Sequence, residues 1–243
     1  MWVTLEAPSV TEIAATMGLD WVVIDAEHGS LDFKEVQEHL RATRGSQTAP
    51  LVRVQEIEQG LIKRVLDLGA EGILVPQVRS AAEVAQAVRF AKYPPAGVRG
   101  IGAERATKWG MGIPSRARTA NRETLVIPIV ECVEAADDFE AILAVPGVDA
   151  VFFGPHDFAA SAGHPGVWSH PDVLRRILAM RKTAAKAGMP CGILAFDEKE
   201  GRLRKSQGFR MISVGIDTVL MIRTLQRMMA ALGRPVPPSV WDE

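Results

Sequence analysis

The sequence predicts a (β/α)8 barrel, also called a TIM barrel, that forms a single domain over residues 1–243. Short apolar runs typical of buried strands alternate eight times with amphipathic segments typical of helices, in units of ~30 residues. No linker or shift in composition interrupts the series, and the length suits one barrel. A doubly wound sheet would have a glycine-rich phosphate loop after its first strand, and Glu6-Ala7-Pro8-Ser9 is not one.

The predicted strands share a short apolar stretch followed by a polar or turn residue. They are residues 2–5, 21–25, 50–54, 73–76, 125–130, 150–153, 191–194 and 211–214. Because a helix follows each strand, neighbouring strands should pair in parallel through right-handed crossovers.

The predicted helices show the capping residues expected at their ends. They cover residues 9–17, 32–44, 58–68, 81–91, 135–143, 170–186 and 219–232, with a further helix capped by Asp197. Ser9, followed by Glu12, and Ser80 are typical N-caps, while Gly18 and Gly69 stand where helices end.

One long segment does not follow the alternation. Residues 93–121 are rich in Gly, Pro and Arg and have no steady hydrophobic period. Loops of this length in compact domains are usually lids or binding elements, so we expect a lid or a binding loop here.

Composition excludes several classes of partner. The formal net charge is −1 and the pI about 6.5, without the clustered Lys and Arg that phosphate binding needs, so no nucleic acid is expected. The two cysteines, Cys132 and Cys191, favour a reducing compartment. No signal peptide and no apolar run of ~18 residues is apparent, which predicts a soluble, cytoplasmic protein without a membrane partner.

Ionisable side chains gather where the predicted strands end. They are Glu6 after strand one, Asp25, Glu27 and His28 at strand two, Arg53 in strand three, Glu131 after strand five, and His156 and Asp157 after strand six. The carboxyl ends of barrel strands carry the active site, so the sequence predicts one at this end.

Glu131 and Asp157 follow adjacent strands, and their carboxylates could therefore bind one cation. Two carboxylates completed by water and substrate oxygens are typical of Mg²⁺ or Mn²⁺, with Co²⁺ as a further candidate. The alternative is a pair of unrelated acids on the barrel rim.

His28 is the natural general base, because imidazole exchanges protons near neutral pH. The alternative is a buried structural histidine. Arg53 inside a strand needs an anion, either an oxygen of a reacting enolate or a structural salt bridge to Asp25 or Glu27. The run Gly154-Pro155-His156-Asp157 could offer backbone N–H groups to a small carboxylate.

A cation, a base and an anchored arginine together suit the formation of an enolate beside a carboxylate. No lysine stands at a strand end, so a Schiff-base aldolase is not expected. From its position alone, Asp67 would be a surface acid near the end of a helix.

These residues resemble those of the HpcH/HpaI family of class II, divalent-metal-dependent pyruvate aldolases. The resemblance covers nearly the whole chain. It is carried by residues 18–29, which end in Ile-Asp-Ala-Glu-His-Gly, by Arg53, by Leu66-Asp67-Leu68-Gly69-Ala70, by Tyr93-Pro94-Pro95 with Arg99-Gly100, by Glu131 and by Gly154-Pro155-His156-Asp157. The ordered set is specific, whereas each motif alone is weak.

The resemblance implies a role for each matching residue. His28 would accept the proton, Arg53 would stabilise the transition state, and Asp67 would raise the basicity of the histidine in a neighbouring subunit. Glu131 and Asp157 would be the metal ligands, and His156 and Leu194 would contact substrate. The resemblance also implies a homohexamer, a trimer of dimers, in which the last helix is exchanged between barrels.

Two positions depart from the family pattern. Ile129 stands where many members have a glutamine that touches substrate, and His156 replaces a usually small residue. The resemblance implies aldol chemistry that cleaves 4-hydroxy-2-oxo acids or forms them from a 2-oxo acid and an aldehyde. Because of the two departures, the 2-oxo acid could be pyruvate or hydroxypyruvate.

Two other functions stay open on the sequence. A metal-dependent barrel lyase of the citrate-lyase-β or phosphoenolpyruvate-mutase type would act on thioesters or phosphorylated acids, and Arg116, Arg118 and Arg122 are the candidates for a basic groove. A non-catalytic metabolite-binding barrel would not need a base beside a metal site.

Overall fold

The computed structural model describes residues 1–237 and shows a barrel of eight parallel strands. The strands pair in chain order, each with the next. They are β1 Trp2–Val3, β2 Trp21–Asp25, β3 Ala49–Arg53, β4 Gly72–Val75, β5 Leu125–Val130, β6 Val151–Phe153, β7 Cys191–Leu194 and β8 Met211–Ser213. All eight predicted strands are confirmed, although β1 is shorter than predicted.

The barrel is nearly closed between its last and first strands. Trp2 forms a parallel bridge with Ile216, and its N–H donates to the carbonyl of Gly215 at 3.0 Å. The buried carboxylate of Asp217 accepts from the N–H groups of Thr4 and Leu5 at 2.9 and 3.0 Å. Asp217 therefore ties the end of the last unit to the first strand.

The helices form the outer layer. They are α1 Pro8–Thr16, α2 Phe33–Ala42, α3 Gln59–Asp67, α4 Ala81–Ala91, α5 Ile113–Glu123, α6 Val133–Asp137, α7 Phe139–Leu143, α8 Pro155–Ser161, α9 Pro171–Lys186, α10 Glu198–Ser206 and α11 Asp217–Ala231. The helix predicted over 135–143 is divided into α6 and α7, while α5 and α8 were not predicted. No helix within residues 1–237 is long and apolar enough to span a bilayer.

Alternation along the strands separates two layers of core. Val23, Leu51, Leu74 and Ile127 point into the barrel, where they pack together with Phe152. The residues between them face the helices. Because the interior is filled with apolar side chains, polar groups at the strand ends are confined to the mouth.

The long segment over residues 93–121, predicted to be a lid or a binding loop, lies at the amino end of the barrel. It joins the end of α4 to the start of β5, and both lie at the amino end of the strands because helices run back against the strands. Its Arg105 donates to the carbonyls of Leu68 and Leu40, near the ends of two helices. The segment therefore does not cover the mouth of its own barrel, since it packs at the opposite end.

Candidate active site

The mouth of the barrel is organised by an ion pair between two neighbouring strands. Asp25 and Arg53 end β2 and β3 and face each other in register. Arg53 Nε and Nη2 donate to Asp25 Oδ1 and Oδ2 at 2.8 and 2.5 Å, and the guanidinium lies over the Trp2 ring at 4.5 Å. Both side chains are buried. A planar fork held at two points and along one face has a fixed orientation.

The same aspartate shapes the turn that follows β2. Asp25 Oδ1 accepts from the backbone N–H groups of Glu27 and His28 at 3.1 and 3.4 Å. Gly29 completes the turn, since a Cβ there would lie 2.7 Å from the Asp25 carbonyl oxygen. The turn therefore presents Glu27 and His28 at the mouth.

Glu27 and His28 lie beside the arginine. Glu27 Oε2 is 2.8 Å from Arg53 Nη1 and 3.9 Å from His28 Nε2, and the His28 side chain is 63% exposed. His28 is thus accessible to a substrate, as a base must be.

Arg53 forms both of the salt bridges that the structural interpretation of this residue required. Burial alone would lower its pKa, but the hydrogen bond to Asp25 and the surrounding carboxylate charges raise the pKa above its ordinary value. The guanidinium is therefore a permanent positive charge at the mouth. A substrate oxygen could reach the guanidinium at Nη1, beside Glu27.

Glu131 lies on the other side of the mouth, after β5. Burial first, and then the charges of Asp157 and Glu27, raise the pKa of Glu131 from 4.5 to about 7. The N–H of Gln77, which donates to Glu131 Oε1 at 2.6 Å, and the charge of Arg53 oppose this rise only in part. Glu131 therefore lies in a region with surplus negative charge.

That surplus fits a divalent cation. The charges of Asp25, Glu27 and Glu131 act on Arg53, and Asp157, in the first turn of α8, acts on Glu131. Gly154 allows the approach of Glu131, because a Cβ there would lie 2.7 Å from Glu131 Oε2. Glu131 and Asp157 remain the residues we expect to bind the metal, since oxygen ligands suit Mg²⁺ and Mn²⁺.

A different cluster shows metal-ligand spacing. Among residues 1–237, the one group of three or more potential ligands within 4.8 Å of one another is His164, His170 and Asp172. His170 Nδ1 already accepts from the Asp172 N–H at 3.3 Å, as the N-cap of α9, and its ring stacks on His164 at 3.6 Å. The cluster lies outside the predicted site.

The other residues predicted to contact substrate lie in different surroundings. The His156 ring packs against Trp168 at 5.6 Å, and burial lowers its pKa, which favours a neutral ring. Leu194 ends β7, against the apolar interior. In the predicted anion nest, the N–H of Gly154 donates to the carbonyl oxygen of Val130 at 3.3 Å, and Pro155 has no N–H to offer.

Asp67 is not brought to this mouth. It ends α3, at the amino end of the strands, and accepts from Arg99 Nη2 at 2.8 Å. Arg99 is buried and stacks on Tyr93 at 4.7 Å. Within one chain, Asp67 and His28 are therefore on opposite ends of the barrel.

Gln77 is a residue at the mouth that the sequence reasoning missed. It follows β4, and its side-chain Nε2 donates to Glu27 Oε1 at 3.0 Å. The signal was present, because Gln77 is a polar residue directly after an apolar strand that ends in Val75-Pro76.

Comparison with known proteins gives one consistent family. The model of the HpcH/HpaI aldolase/citrate lyase family matches residues 1–224. A hydroxypyruvate/pyruvate aldolase from Roseovarius nubinhibens is 40% identical over 231 residues, covering 94% of this chain and 90% of that protein. A 5-keto-4-deoxy-D-glucarate aldolase from Salmonella paratyphi A is 39% identical over 217 residues, covering 89% and 84%.

Solved structures agree. A family protein from Burkholderia cenocepacia superposes with a TM-score of 0.91 at 35% identity, covering 96% of this chain and 93% of that one. A citrate lyase from Burkholderia xenovorans, at 17% identity and a TM-score of 0.62 over 98% and 94%, shares the fold alone.

Because the pKa of Glu131 is raised, removing its charge should increase the free energy of unfolding, by an amount that depends on pH. In the unfolded chain the carboxyl ionises near 4.5, whereas in the folded metal-free protein it ionises at about 7. The free-energy cost of ionising Glu131 in the folded protein, which lowers the free energy of unfolding, is therefore absent below pH 4.5. It grows between the two pKa values and is complete above pH 7, where it is on the order of 3 kcal/mol.

Glu131→Gln should therefore raise the free energy of unfolding of the metal-free protein at pH 8 and change it little at pH 5. Urea unfolding in the presence of a chelator measures both values, with Glu134→Gln, at an exposed position of α6, as the control. An equal gain at both pH values would contradict the burial effect.

Proposed function

Because the chain belongs to the HpcH/HpaI aldolase/citrate lyase family, we propose that its barrel mouth performs class II aldol chemistry on 2-oxo acids. The enzyme is an aldehyde-lyase that cleaves or forms 4-hydroxy-2-oxo acids. The observation that carries this function is the acidic mouth, in which a fixed Arg53 and an exposed His28 lie on either side of Glu27 and the buried Glu131 acts on Arg53.

Glu131 and Asp157 would hold the divalent cation, Mg²⁺ or Mn²⁺, with Co²⁺ as a further candidate. When bound, such an ion polarises the carbonyl and carboxylate oxygens of a 2-oxo acid. Its charge would also balance the acidic surplus that raises the pKa of Glu131.

In cleavage, His28 would take the proton of the 4-hydroxyl group. The C3–C4 bond then breaks, the aldehyde leaves, and the electron pair remains on the 2-oxo acid fragment as an enolate. Arg53 would offset the negative charge that grows on the enolate oxygen through an N–H of Nη1 or Nη2 that faces neither Glu27 nor Asp25. Protonation at C3 completes the reaction.

The nucleophile would be pyruvate or hydroxypyruvate. Relatives from Roseovarius nubinhibens and Pseudomonas aeruginosa, at 40% and 36% identity, are named for both compounds. In this chain Ile129 is buried among apolar residues of the barrel interior, so position 129 offers substrate no polar contact. Discrimination between the two acids would rest on other polar groups at the mouth.

A thioester substrate has less support. The basic residues expected to line a groove for the nucleotide of such a substrate, Arg116, Arg118 and Arg122, are on α5, at the amino end of the strands. Arg116 also pairs with Glu123 at 2.8 Å. These cations do not border the mouth.

The active oligomer would be a homohexamer, a trimer of dimers, with α11 exchanged between barrels. The support is an apolar face on α11 that this chain leaves exposed, formed by Leu220, Met221, Ile222, Leu225 and Met228. Asp67, at the far end of its own barrel, could then reach the mouth of a neighbour.

The reaction itself is tested by exchange of the C3 protons of pyruvate and hydroxypyruvate in D2O, followed by proton NMR with and without Mn²⁺. We expect metal-dependent loss of the C3 signal and much slower exchange for His28→Ala. In aldol cleavage, Arg53→Lys and Arg53→Ala should lower kcat by ~10²-fold, as for a lost oxyanion donor.

The control for this experiment is Arg41→Ala, at an exposed position of α2, which should behave as the wild type. A change confined to KM would show that Arg53 contributes to binding alone. Exchange that is unaltered in His28→Ala would refute the role of this histidine as base.

A shared site predicts complementation between subunits. Oligomers refolded from a mixture of His28→Ala and Asp67→Ala chains should regain activity, because some mouths then combine an intact His28 with a neighbour's intact Asp67. A mixture of His28→Ala and Arg53→Ala should not, since both residues belong to one mouth. Equal activity of the two mixtures would contradict a role for Asp67 in a neighbouring site.

A further inference from the structure

Gln77 has a backbone conformation that a glutamine rarely adopts. Its φ is 53°, in the left-handed region, directly after β4 and Pro76. Residues with a Cβ are disfavoured there, and such outliers cluster at functional sites. The conformation therefore needs a compensating interaction.

Two interactions with acids provide that compensation. The backbone N–H donates to Glu131 Oε1 at 2.6 Å, and the side-chain Nε2 donates to Glu27 Oε1 at 3.0 Å. Glu131 follows β5 and Glu27 follows β2, so one exposed residue links carboxylates from two sides of the mouth.

The hydrogen bond from Gln77 to Glu27 Oε1 determines which groups lie next to Glu27 Oε2. With Oε1 held by Gln77, Oε2 lies 2.8 Å from Arg53 Nη1 and 3.9 Å from His28 Nε2. A carboxylate without that restraint could rotate about its side-chain bonds, and both neighbours would lose a fixed partner.

We propose that Gln77 is a positioning residue of the aldol reaction, which holds Glu27 between Arg53 and His28 so that the arginine and the base keep their mutual orientation. The proposal rests on the function proposed above. It separates two roles of one residue: the backbone supports Glu131, and the side chain supports Glu27.

Two variants distinguish these roles. Gln77→Met keeps the length of the side chain and removes its hydrogen bond. Gln77→Gly removes the side chain, keeps the backbone N–H and adopts a φ of 53° without strain. Gln86→Met, at an exposed position of α4, is the matched control.

The measurements are kcat and KM for pyruvate C3 proton exchange, Mn²⁺ affinity by calorimetry, and the thermal midpoint. Both variants should lower kcat by ~10-fold or more, as for the loss of an outer-shell partner, with pyruvate KM and Mn²⁺ affinity within about twofold of the wild type. Gln77→Gly should have a thermal midpoint equal to or above that of the wild type, and Gln86→Met should match the wild type throughout.

A kcat within twofold of the wild type in both variants would overturn the proposal. So would a parallel loss of Mn²⁺ affinity and kcat, which would mean that the residue acts through Glu131 alone. Absence of exchange in the wild type with any metal would instead refute the aldolase function, and this proposal with it.

Discussion

Arg53 is held by three residues, through two bonds to Asp25, a face against Trp2 and a contact with Glu27. Asp25 in turn binds the backbone of the turn that carries Glu27 and His28. The ion pair between β2 and β3 therefore fixes both the charge and the direction of the groups at the mouth. Its burial makes each partner indispensable, because either one alone would be an uncompensated buried charge.

Charge balance is the second constraint on the mouth. The barrel interior below it is apolar, so the carboxylates at the strand ends are only partly hydrated and repel one another. Burial is the largest cause of the raised pKa of Glu131, and the charges of Asp157 and Glu27, which one arginine does not balance, add to it. A divalent cation would restore the balance at the point where a 2-oxo acid must be polarised, so the same imbalance would favour both metal binding and catalysis.

The sequence predicts the barrel and most of its mouth because both follow from local rules. The alternation of strand and helix fixes the architecture, and the strand-end rule selects Arg53 and Glu131 without any knowledge of distances. It does not predict that Gln77 adopts a left-handed conformation, since tertiary contacts with two distant acids impose it. Nor does it predict that His156 packs on Trp168, a contact between a residue of α8 and one of the loop that follows α8. That residues 93–121 lie at the amino end of the strands follows from their position between α4 and β5, whereas α5 within them was not predicted.

We propose that the mouth binds a divalent cation through Glu131 and Asp157. Calorimetric titration of the metal-free protein with Mn²⁺ at pH 8 tests it most directly, with Glu131→Gln, Asp157→Asn and, for the separate histidine cluster, Asp172→Asn. The affinity for Mn²⁺ should fall by ~10²-fold in Glu131→Gln and Asp157→Asn and should stay unchanged in Asp172→Asn. Unchanged affinity in both mouth variants, or a loss only in Asp172→Asn, would contradict it.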